Sequence, residues 1–242
     1  MPSRLSVLCW NIGNPSLERA RKQAEWLSAR KEDAIVLTEA KNSEGCAYIE
    51  RLFRFYKGYN VVFPKPEGNE YAVMILSRLP LKHTEFAERV VGLRSRVASV
   101  EINGLELIGV YAPTSTSTEP AKVDKKKGFL DALLRALDDT PNGNRIFCGD
   151  FNILEPGHVP HHPAYVPWQW FYQELAKRGL VDGFKLAGTA EHSWFSRDMM
   201  GYRFDHCFVS NELASKISKC LYDRKPMEAK LSDHAAMVLD VL

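Results

Sequence analysis

Short apolar runs alternate with amphipathic segments along the first half of the chain. Residues 5–10 and 34–37 are apolar runs of the length expected for buried strands. Between them, apolar residues recur every three or four positions over residues 17–27, which predicts a helix that Asn14 caps and Pro15 opens. The pattern therefore predicts that strands and helices alternate in this half of the protein.

The clearest turn signal is Asn103-Gly104, which separates apolar runs at residues 97–102 and 105–110. An Asn-Gly pair favours a type I′ turn because both of its positions require positive φ. The hairpin that results places Glu101 opposite Glu106 on one face. Two neighbouring carboxylates are mildly unfavourable, so we expect this face to contact solvent and the other face to be buried.

The rest of the chain continues the same alternation. Further strands are predicted at residues 60–63, 72–76, 145–148, 203–209 and 235–242, and further helices at 48–55, 125–137 and 168–178. No internal repeat, long linker or change of composition divides the sequence, so we expect one domain over residues 1–242. Many strands, some of them paired as hairpins, with helices between them favour an α/β fold with mixed sheets.

Composition excludes several classes of protein. Hydrophobic residues make up 45% and charged residues 26% of the chain, which excludes collagen, wholesale disorder and coiled coils. No apolar run approaches the roughly 20 residues of a membrane helix, so we expect no membrane partner. The net charge of +2 indicates nucleic-acid binding only if a local basic patch exists. Five scattered cysteines without a Cys-x-x-Cys pair favour reduced core thiols, and we expect a cytoplasmic monomer.

Polar side chains stand at the ends of apolar strands, and this is the unusual feature of the sequence. The set consists of Asn11, Glu39, Tyr111, Asp150, Asn152, Asp205, Asp233 and His234. Singly, such residues more often form turns or cap helices. Strands of packed sheets end at a common rim, however, where these side chains can converge. Hard oxygen donors without a thiolate favour Mg²⁺ or Mn²⁺ over zinc.

The motifs that contain these residues resemble those of the endonuclease/exonuclease/phosphatase superfamily, which includes DNase I, exonuclease III-type AP endonucleases and inositol polyphosphate 5-phosphatases. In order, they are Trp10-Asn11-Ile12, Thr38-Glu39-Ala40-Lys41, Tyr111-Ala112-Pro113, Gly149-Asp150-Phe151-Asn152, Tyr202-Arg203-Phe204-Asp205-His206 and Leu231-Ser232-Asp233-His234. The Gly-Asp-Phe-Asn and Ser-Asp-His elements are the most specific. The resemblance covers nearly the whole chain and implies a DNase I-like four-layer α/β sandwich, with two packed mixed β-sheets flanked by helices.

The same resemblance implies which residues bind the metal and the attacking water. Glu39 would hold the divalent metal, Mg²⁺ or Mn²⁺, with Asn11 and Asp233 beside it. Asp150 would activate or position the attacking water, and Asn152 would hold that water and a phosphate oxygen. A bound metal would neutralise charge that grows on the phosphoryl oxygens during hydrolysis.

Three more residues are assigned to the phosphate by resemblance. His234 would contact the scissile phosphate, Asp205 would orient its imidazole, and Tyr111 would hydrogen-bond to the phosphate. A carboxylate behind a histidine fixes its tautomer and raises its basicity. A protonated imidazole would stabilise the developing negative charge.

Aromatic residues near the Arg-x-Asp element indicate the branch of the superfamily. The segment around Trp194, followed by Tyr202 and Phe204, resembles the exonuclease III and AP endonuclease pattern, in which such aromatics line a pocket for an abasic sugar. The alternative is that these aromatics belong to the core. The short segment between residues 195 and 202 and the Gly13-Asn14-Pro15-Ser16 segment both depart from that branch.

Basic residues and histidines provide weaker signals. Arg94 and Arg96 are candidates for binding DNA phosphates, and the run Lys125-Lys126-Lys127 is either a solvated helix face or a phosphate contact. The proline- and histidine-rich segment at residues 155–167 is also unusual for the branch. Its histidines, His158, His161 and His162, have no cysteine nearby and no helical spacing, which favours a solvent- or substrate-facing loop over a zinc site.

The sequence therefore predicts a Mg²⁺-dependent phosphodiesterase that acts on DNA, similar to exonuclease III or an AP endonuclease of DNA repair. One alternative is a phosphomonoesterase or lipid-headgroup phosphodiesterase of the same superfamily, and another is tyrosyl-DNA phosphodiesterase-like activity. A binding module with an inactive site is disfavoured because the residues that match the motifs are all present, among them Glu39, Asp150 and His234.

Overall fold

The strands form two six-stranded sheets and one small hairpin in a computed structural model, which describes residues 4–115, 119–140, 143–187 and 191–242. The first sheet contains β1 (Leu5–Asn11), β2 (Ala34–Ala40), β3 (Asn60–Val62), β4 (Ala72–Ser77), β13 (Ile217–Asp223) and β14 (Ala236–Val241), in the order β13-β14-β1-β2-β4-β3. The second sheet contains β5 (Lys82–His83), β6 (Val97–Ile102), β7 (Leu105–Tyr111), β8 (Arg145–Asp150), β9 (Leu180–Asp182) and β12 (Asp205–Ser210), in the order β5-β6-β7-β8-β12-β9. The hairpin pairs β10 (Trp194–Phe195) with β11 (Gly201–Tyr202).

Both large sheets are mixed. β1 runs parallel to β2, and β7 runs parallel to β8, whereas the other named pairs are antiparallel. The central strands are buried on both faces, which explains why they are continuous apolar runs rather than alternating ones.

Helices pack against both sheets. They are α1 (Leu17–Ser28), α2 (Glu44–Arg51), α3 (Phe86–Arg89), α4 (Pro120–Asp139), α5 (Gln169–Lys177), α6 (Gly183–Ala187), α7 (Asn211–Ala214) and α8 (Lys225–Glu228), with a π-helical turn at Leu52–Tyr56 and 3₁₀ helices at Arg94–Arg96 and Pro163–Trp168. No helix in the described ranges is both long enough and apolar enough to cross a membrane.

The core is divided into three layers of apolar contacts. The central layer joins residues of the two sheets, such as Val36 and Leu107. One outer layer packs α1 and α2 on the first sheet, and the other packs α4 and α5 on the second sheet. The sheets approach closely at Gly109, where an added Cβ would lie 2.7 Å from a methyl group of Val36. This arrangement confirms the predicted four-layer α/β sandwich, and the extent of a single domain stays a prediction.

The hairpin prediction is confirmed. Asn103 and Gly104 have φ values of +52° and +75°, and Glu101 pairs with Glu106. A basic residue offsets each carboxylate, since Lys82 lies 3.7 Å from Glu101 and Arg145 lies 2.6 Å from Glu106.

Some predicted boundaries are wrong. Asn14 does not cap α1, because it has a left-handed φ of +39°, and Ser16 caps the helix by accepting a hydrogen bond from the backbone N–H of Arg19. The helix predicted at residues 48–55 begins earlier, at Glu44. The strand predicted from residue 203 begins at Asp205, because the backbone N–H groups of Phe204 and Asp205 donate to the hydroxyl of Ser193 and not to a neighbouring strand.

Candidate active site

Strand directions bring the polar strand ends to one rim. Tyr111 and Asp150 end the parallel strands β7 and β8 in register with each other. Asp205 starts β12 directly opposite Asp150, because β12 runs antiparallel to β8. His234 precedes β14, which runs antiparallel to β1, and so lies near Asn11 at the end of β1. The predicted convergence of these residues is therefore observed.

Asp205 and His234 form a direct pair. His234 Nδ1 lies 2.7 Å from Oδ2 of Asp205, and both residues are buried. The carbonyl of His234 accepts a hydrogen bond of 3.1 Å from the indole N–H of Trp10, and the backbone N–H of Asp205 donates to the hydroxyl of Ser193. Burial acts to lower the pKa of His234, but the carboxylate of Asp205, followed by those of Asp150 and Asp233, outweighs it and raises the pKa to about 10. The imidazole is therefore protonated at neutral pH.

Asp150 is buried among other acidic groups. Its Oδ2 accepts a 3.0 Å hydrogen bond from the side-chain amide of Asn11, and its Oδ1 accepts one of 2.9 Å from the backbone N–H of Asn152. Burial raises the pKa of this carboxyl, and the neighbouring charges of Asp205 and Glu39 raise it further. The positive charge of His234 opposes this rise only in part, so the site favours binding of a further positive charge.

Glu39 approaches the same rim from β2. It has a left-handed φ of +54°, at a point where the pairing of β2 with β4 shifts register between Leu37 and Ala40. Its Oε1 accepts a 2.7 Å hydrogen bond from the hydroxyl of Tyr111. Glu39 also lines a cleft with Asp233, which is exposed. The bulge thus turns the carboxylate of Glu39 towards the cleft instead of into the sheet.

The donor set fits a divalent cation. Donor atoms of Asp150, Asp205 and His234 all lie within 4.8 Å of one another, and the two carboxylates are the members that can bind a cation, because the imidazole is protonated. Oδ1 of Asp205 is buried and has no hydrogen-bond partner in the part of the chain that the structure describes. Carboxylate and amide oxygens without a thiolate are ligands for a hard cation such as Mg²⁺. The geometry brings Asp150 into this group, whereas the sequence assigned the metal to Glu39, Asn11 and Asp233, an assignment that stays a prediction.

The aromatic residues beside the site are packed to different extents. Tyr202 and Phe204 are buried and stacked, with ring centroids 5.7 Å apart, and Tyr202 is also stacked with His158 at 5.9 Å. Trp194 is half-buried, and its indole N–H donates to Asp233 at 3.0 Å. Of the predicted pocket aromatics, Trp194 is therefore the most accessible and the one that contacts an acidic residue of the cleft. Their assignment to substrate stays a prediction.

The two predicted phosphate-binding arginines differ. Arg94 is exposed and donates to the carbonyl of Glu88. Arg96 is buried, pairs with Glu70, and lies 4.8 Å from the centroid of the Tyr111 ring. The guanidinium of Arg96 is thus bound to Glu70 beside the ring of Tyr111, whereas that of Arg94 faces solvent.

The three histidines of the 155–167 segment do not form a metal site among the described residues. His158 Nδ1 lies 3.2 Å from Glu155, His162 packs against the rings of Tyr165 and Tyr202, and His161 is exposed. The segment therefore packs against the aromatic residues through His158 and His162.

Several buried charged residues were not identified from the sequence. Arg203 has 2% exposure and pairs with Asp182 at 2.6 Å, next to the strand that carries Asp205. Lys126 has no exposure at all, and its amine donates to the carbonyl of Asn152. Arg203 lies in the motif that contains Asp205, so the sequence could have indicated that it is close to the site. Nothing in the sequence distinguishes Lys126 from the lysines on either side of it.

Two packed mixed sheets with acidic residues and a paired histidine at one rim define a class of hydrolases for phosphate esters. Residues 8–234 match the model of the Endonuclease/Exonuclease/phosphatase family, and the chain belongs to that family. It is accordingly a hydrolytic enzyme of the nuclease and phosphodiesterase kind. No curated protein sequence matches the chain.

Solved structures share the fold over nearly the full chain. A 3′ phosphatase, NExo, from Neisseria bound to a product DNA hairpin is 20% identical, with a TM-score of 0.83 and coverage of 98% of this chain and 99% of that one. An AP endonuclease from Archaeoglobus fulgidus is 22% identical, with a TM-score of 0.82 and coverage of 97% and 98%. The AP endonuclease LMAP from Leishmania major is 16% identical, with a TM-score of 0.78 and coverage of 99% and 88%. These similarities establish the fold.

Proposed function

We propose that the protein is a divalent-metal-dependent phosphodiesterase that acts on DNA, as a cytoplasmic monomer. The observation that carries the proposal is the Asp205–His234 pair at 2.7 Å beside the buried carboxylate of Asp150. A protonated imidazole held by one carboxylate and adjacent to a second is suited to an anionic phosphate and a water nucleophile. The DNA-directed activities of proteins with the same fold support DNA as the substrate.

The metal would be Mg²⁺, with Mn²⁺ as a substitute. Glu39, Asn11 and Asp233 would hold it, and the carboxylate of Asp150 lies close enough to share it. When bound, such an ion acts as a Lewis acid that polarises a phosphoryl oxygen. The acidic cluster would then regain the ionised state that burial opposes.

The other side chains of the site have separate roles in hydrolysis. Asp150 accepts a proton from the attacking water, and Asn152 holds that water and a phosphate oxygen. Asp205 binds Nδ1 of His234, which leaves Nε2 to donate to the phosphate. Tyr111 donates to Glu39 in this structure, so its first effect is to hold that carboxylate in place. Its hydrogen bond to the phosphate requires the hydroxyl to leave Glu39.

A second candidate substrate is a DNA 3′ terminus, including a 3′ phosphate, in place of an abasic site. The aromatics expected to line an abasic pocket are largely buried, since Tyr202 is 8% and Phe204 is 6% exposed. A terminal nucleotide can reach the rim without an open aromatic pocket. The 3′ phosphatase among the structural neighbours supports this alternative.

Activity assays distinguish these candidates. Purified protein with Mg²⁺ is tested on matched duplexes with an abasic site, a 3′ phosphate or a recessed 3′ end, on single-stranded DNA and on a phosphoinositide. His234→Ala is expected to abolish the activity, and His161→Ala, at an exposed histidine, is the matched control. Faster turnover of the phosphoinositide than of every DNA substrate would contradict the proposal.

A further inference from the structure

Three consecutive lysines on α4 have different environments. Lys125 pairs with Glu70 and Lys127 pairs with Asp131, each at 2.7 Å, and both are exposed. Lys126 lies between them with no exposed surface. The helix therefore directs one lysine of the run into the protein and leaves its neighbours in solvent.

The amine of Lys126 is surrounded by a carbonyl group and aromatic rings. Its Nζ donates a 2.5 Å hydrogen bond to the backbone carbonyl of Asn152 and lies 4.6 Å from the ring centroid of Trp168 and 5.6 Å from that of Tyr165. No carboxylate forms an ion pair with it among the described residues. Burial lowers the pKa of this amine to about 7, and the negative charge of Asp150 opposes that change.

The carbonyl that Lys126 holds belongs to an unusual turn. Asn152 has a left-handed φ of +50°, its backbone N–H donates to Asp150, and its side-chain amide donates to the carbonyl of Ala112 at 3.0 Å. Asn152 is thus anchored through its N–H, its side chain and its carbonyl. Among the residues that the structure describes, the side chain that donates to this carbonyl is that of Lys126.

We propose that Lys126 is a positioning residue of the hydrolytic site, which holds the carbonyl of Asn152 and thereby fixes the turn that carries Asp150 and Asn152. The inference rests on the proposed function of these two residues. A buried amine without a carboxylate partner is costly whether it keeps or loses its proton, and an apolar side chain of similar volume would serve the core at least as well. The hydrogen bond to the turn at Asn152 therefore explains why an amine occupies this buried position.

The test compares Lys126→Met, which keeps an unbranched side chain one bond shorter and removes the donor, with Lys127→Met as the matched control on the same helix. Turnover is measured on the best DNA substrate and on bis(4-nitrophenyl) phosphate, and thermal unfolding is measured in parallel. We expect Lys126→Met to lower kcat about 10- to 100-fold with KM within about threefold, while Tm is unchanged or higher. Lys127→Met should match the wild type.

The alternative outcomes overturn the proposal. A lysine with a purely structural role predicts a lower Tm and a normal kcat for the folded fraction of Lys126→Met. If that variant does not fold, Lys126→Gln replaces it with the same expected loss, because its side chain is one bond shorter. If the wild type turns over bis(4-nitrophenyl) phosphate but no DNA, DNA is refuted as the substrate. The role of Lys126 is then tested on the small diester alone. Wild-type protein inactive on both would refute both proposals.

Discussion

The imidazole of His234 and the carboxylate of Asp205 meet at 2.7 Å although they lie 29 positions apart in the chain. The antiparallel pairing of β12 with β8 and of β14 with β1 produces this meeting, because it places both residues at the rim where β1 and β8 end. The carboxylate binds Nδ1, which orients the ring so that the N–H at Nε2 can face an anion.

A double-mutant cycle tests whether this pair acts as a unit. His234→Ala and Asp205→Ala should each lower kcat by about 10²–10⁴-fold, and the double variant should lose little more than the worse single variant. The reason is that Asp205 acts through the imidazole. Steady-state kinetics on one substrate measure all four forms.

If the losses of kcat in the two single variants multiply in the double variant, Asp205 acts independently of His234, for example on the metal. Near-normal activity of both single variants would refute the assignment of the site. Unfolding curves serve as the control, because His234 and Asp205 are buried and their removal also lowers stability, so kcat is compared at a temperature where all four forms are folded.

The raised pKa of His234 predicts how its contribution to stability depends on pH. The pKa is about 10 in the folded protein and 6.5 in the ordinary side chain. The folded protein therefore keeps a proton that the unfolded chain releases, so the stabilisation is fully present below pH 6.5 and is lost as pH rises towards 10. The free energy of unfolding of wild type minus that of His234→Gln, from urea denaturation, should be larger at about pH 6 than at about pH 9. A difference that grows with pH would contradict the ion pair.

Removing the charge of Glu39 should weaken metal binding. Glu39→Gln keeps the shape of the side chain but removes the charge that a hard cation prefers. We expect activity to fall at least about 10²-fold and to recover partly at high Mg²⁺ concentration. Isothermal titration with Mn²⁺ measures the affinity directly, and Glu44→Gln at the exposed start of α2 is the control. Full wild-type activity in EDTA would refute the metal requirement.

The two arginines should differ in the salt dependence of DNA binding. Wild-type affinity, measured in EDTA to prevent cleavage, should fall with salt with a log–log slope of about −3 to −5. Arg94→Ala should reduce the magnitude of that slope by about 1, the effect of losing one phosphate contact, because the guanidinium of Arg94 is exposed to solvent. Arg96→Ala should leave the slope unchanged and lower Tm, because it removes the buried partner of Glu70. An identical effect of both substitutions on the slope would contradict this difference.

Most strands, and the hairpin at Asn103-Gly104, could be predicted because their signals are local. The apolar run of β2 and the turn residues specify their own backbone geometry. The start of α1 could not be predicted from Asn14-Pro15, because the left-handed conformation of Asn14 depends on its backbone hydrogen bond to the carbonyl of Glu39. The motif residues of the site were found because each stands beside a strong strand pattern.

The sequence by itself predicted which residues would carry the chemistry, since carboxylate, amide and imidazole groups recur at the ends of its apolar strands. Only the tertiary structure decided the environment of each charged group. Arg96 pairs with Glu70 across 26 positions, and Lys126 reaches Asn152 across 26 positions. Local periodicity does not encode such partners, because the direction of a long side chain depends on which distant strand or loop packs against its helix. For that reason three adjacent lysines, equivalent in the sequence, became two surface ion pairs and one buried support for the candidate catalytic turn.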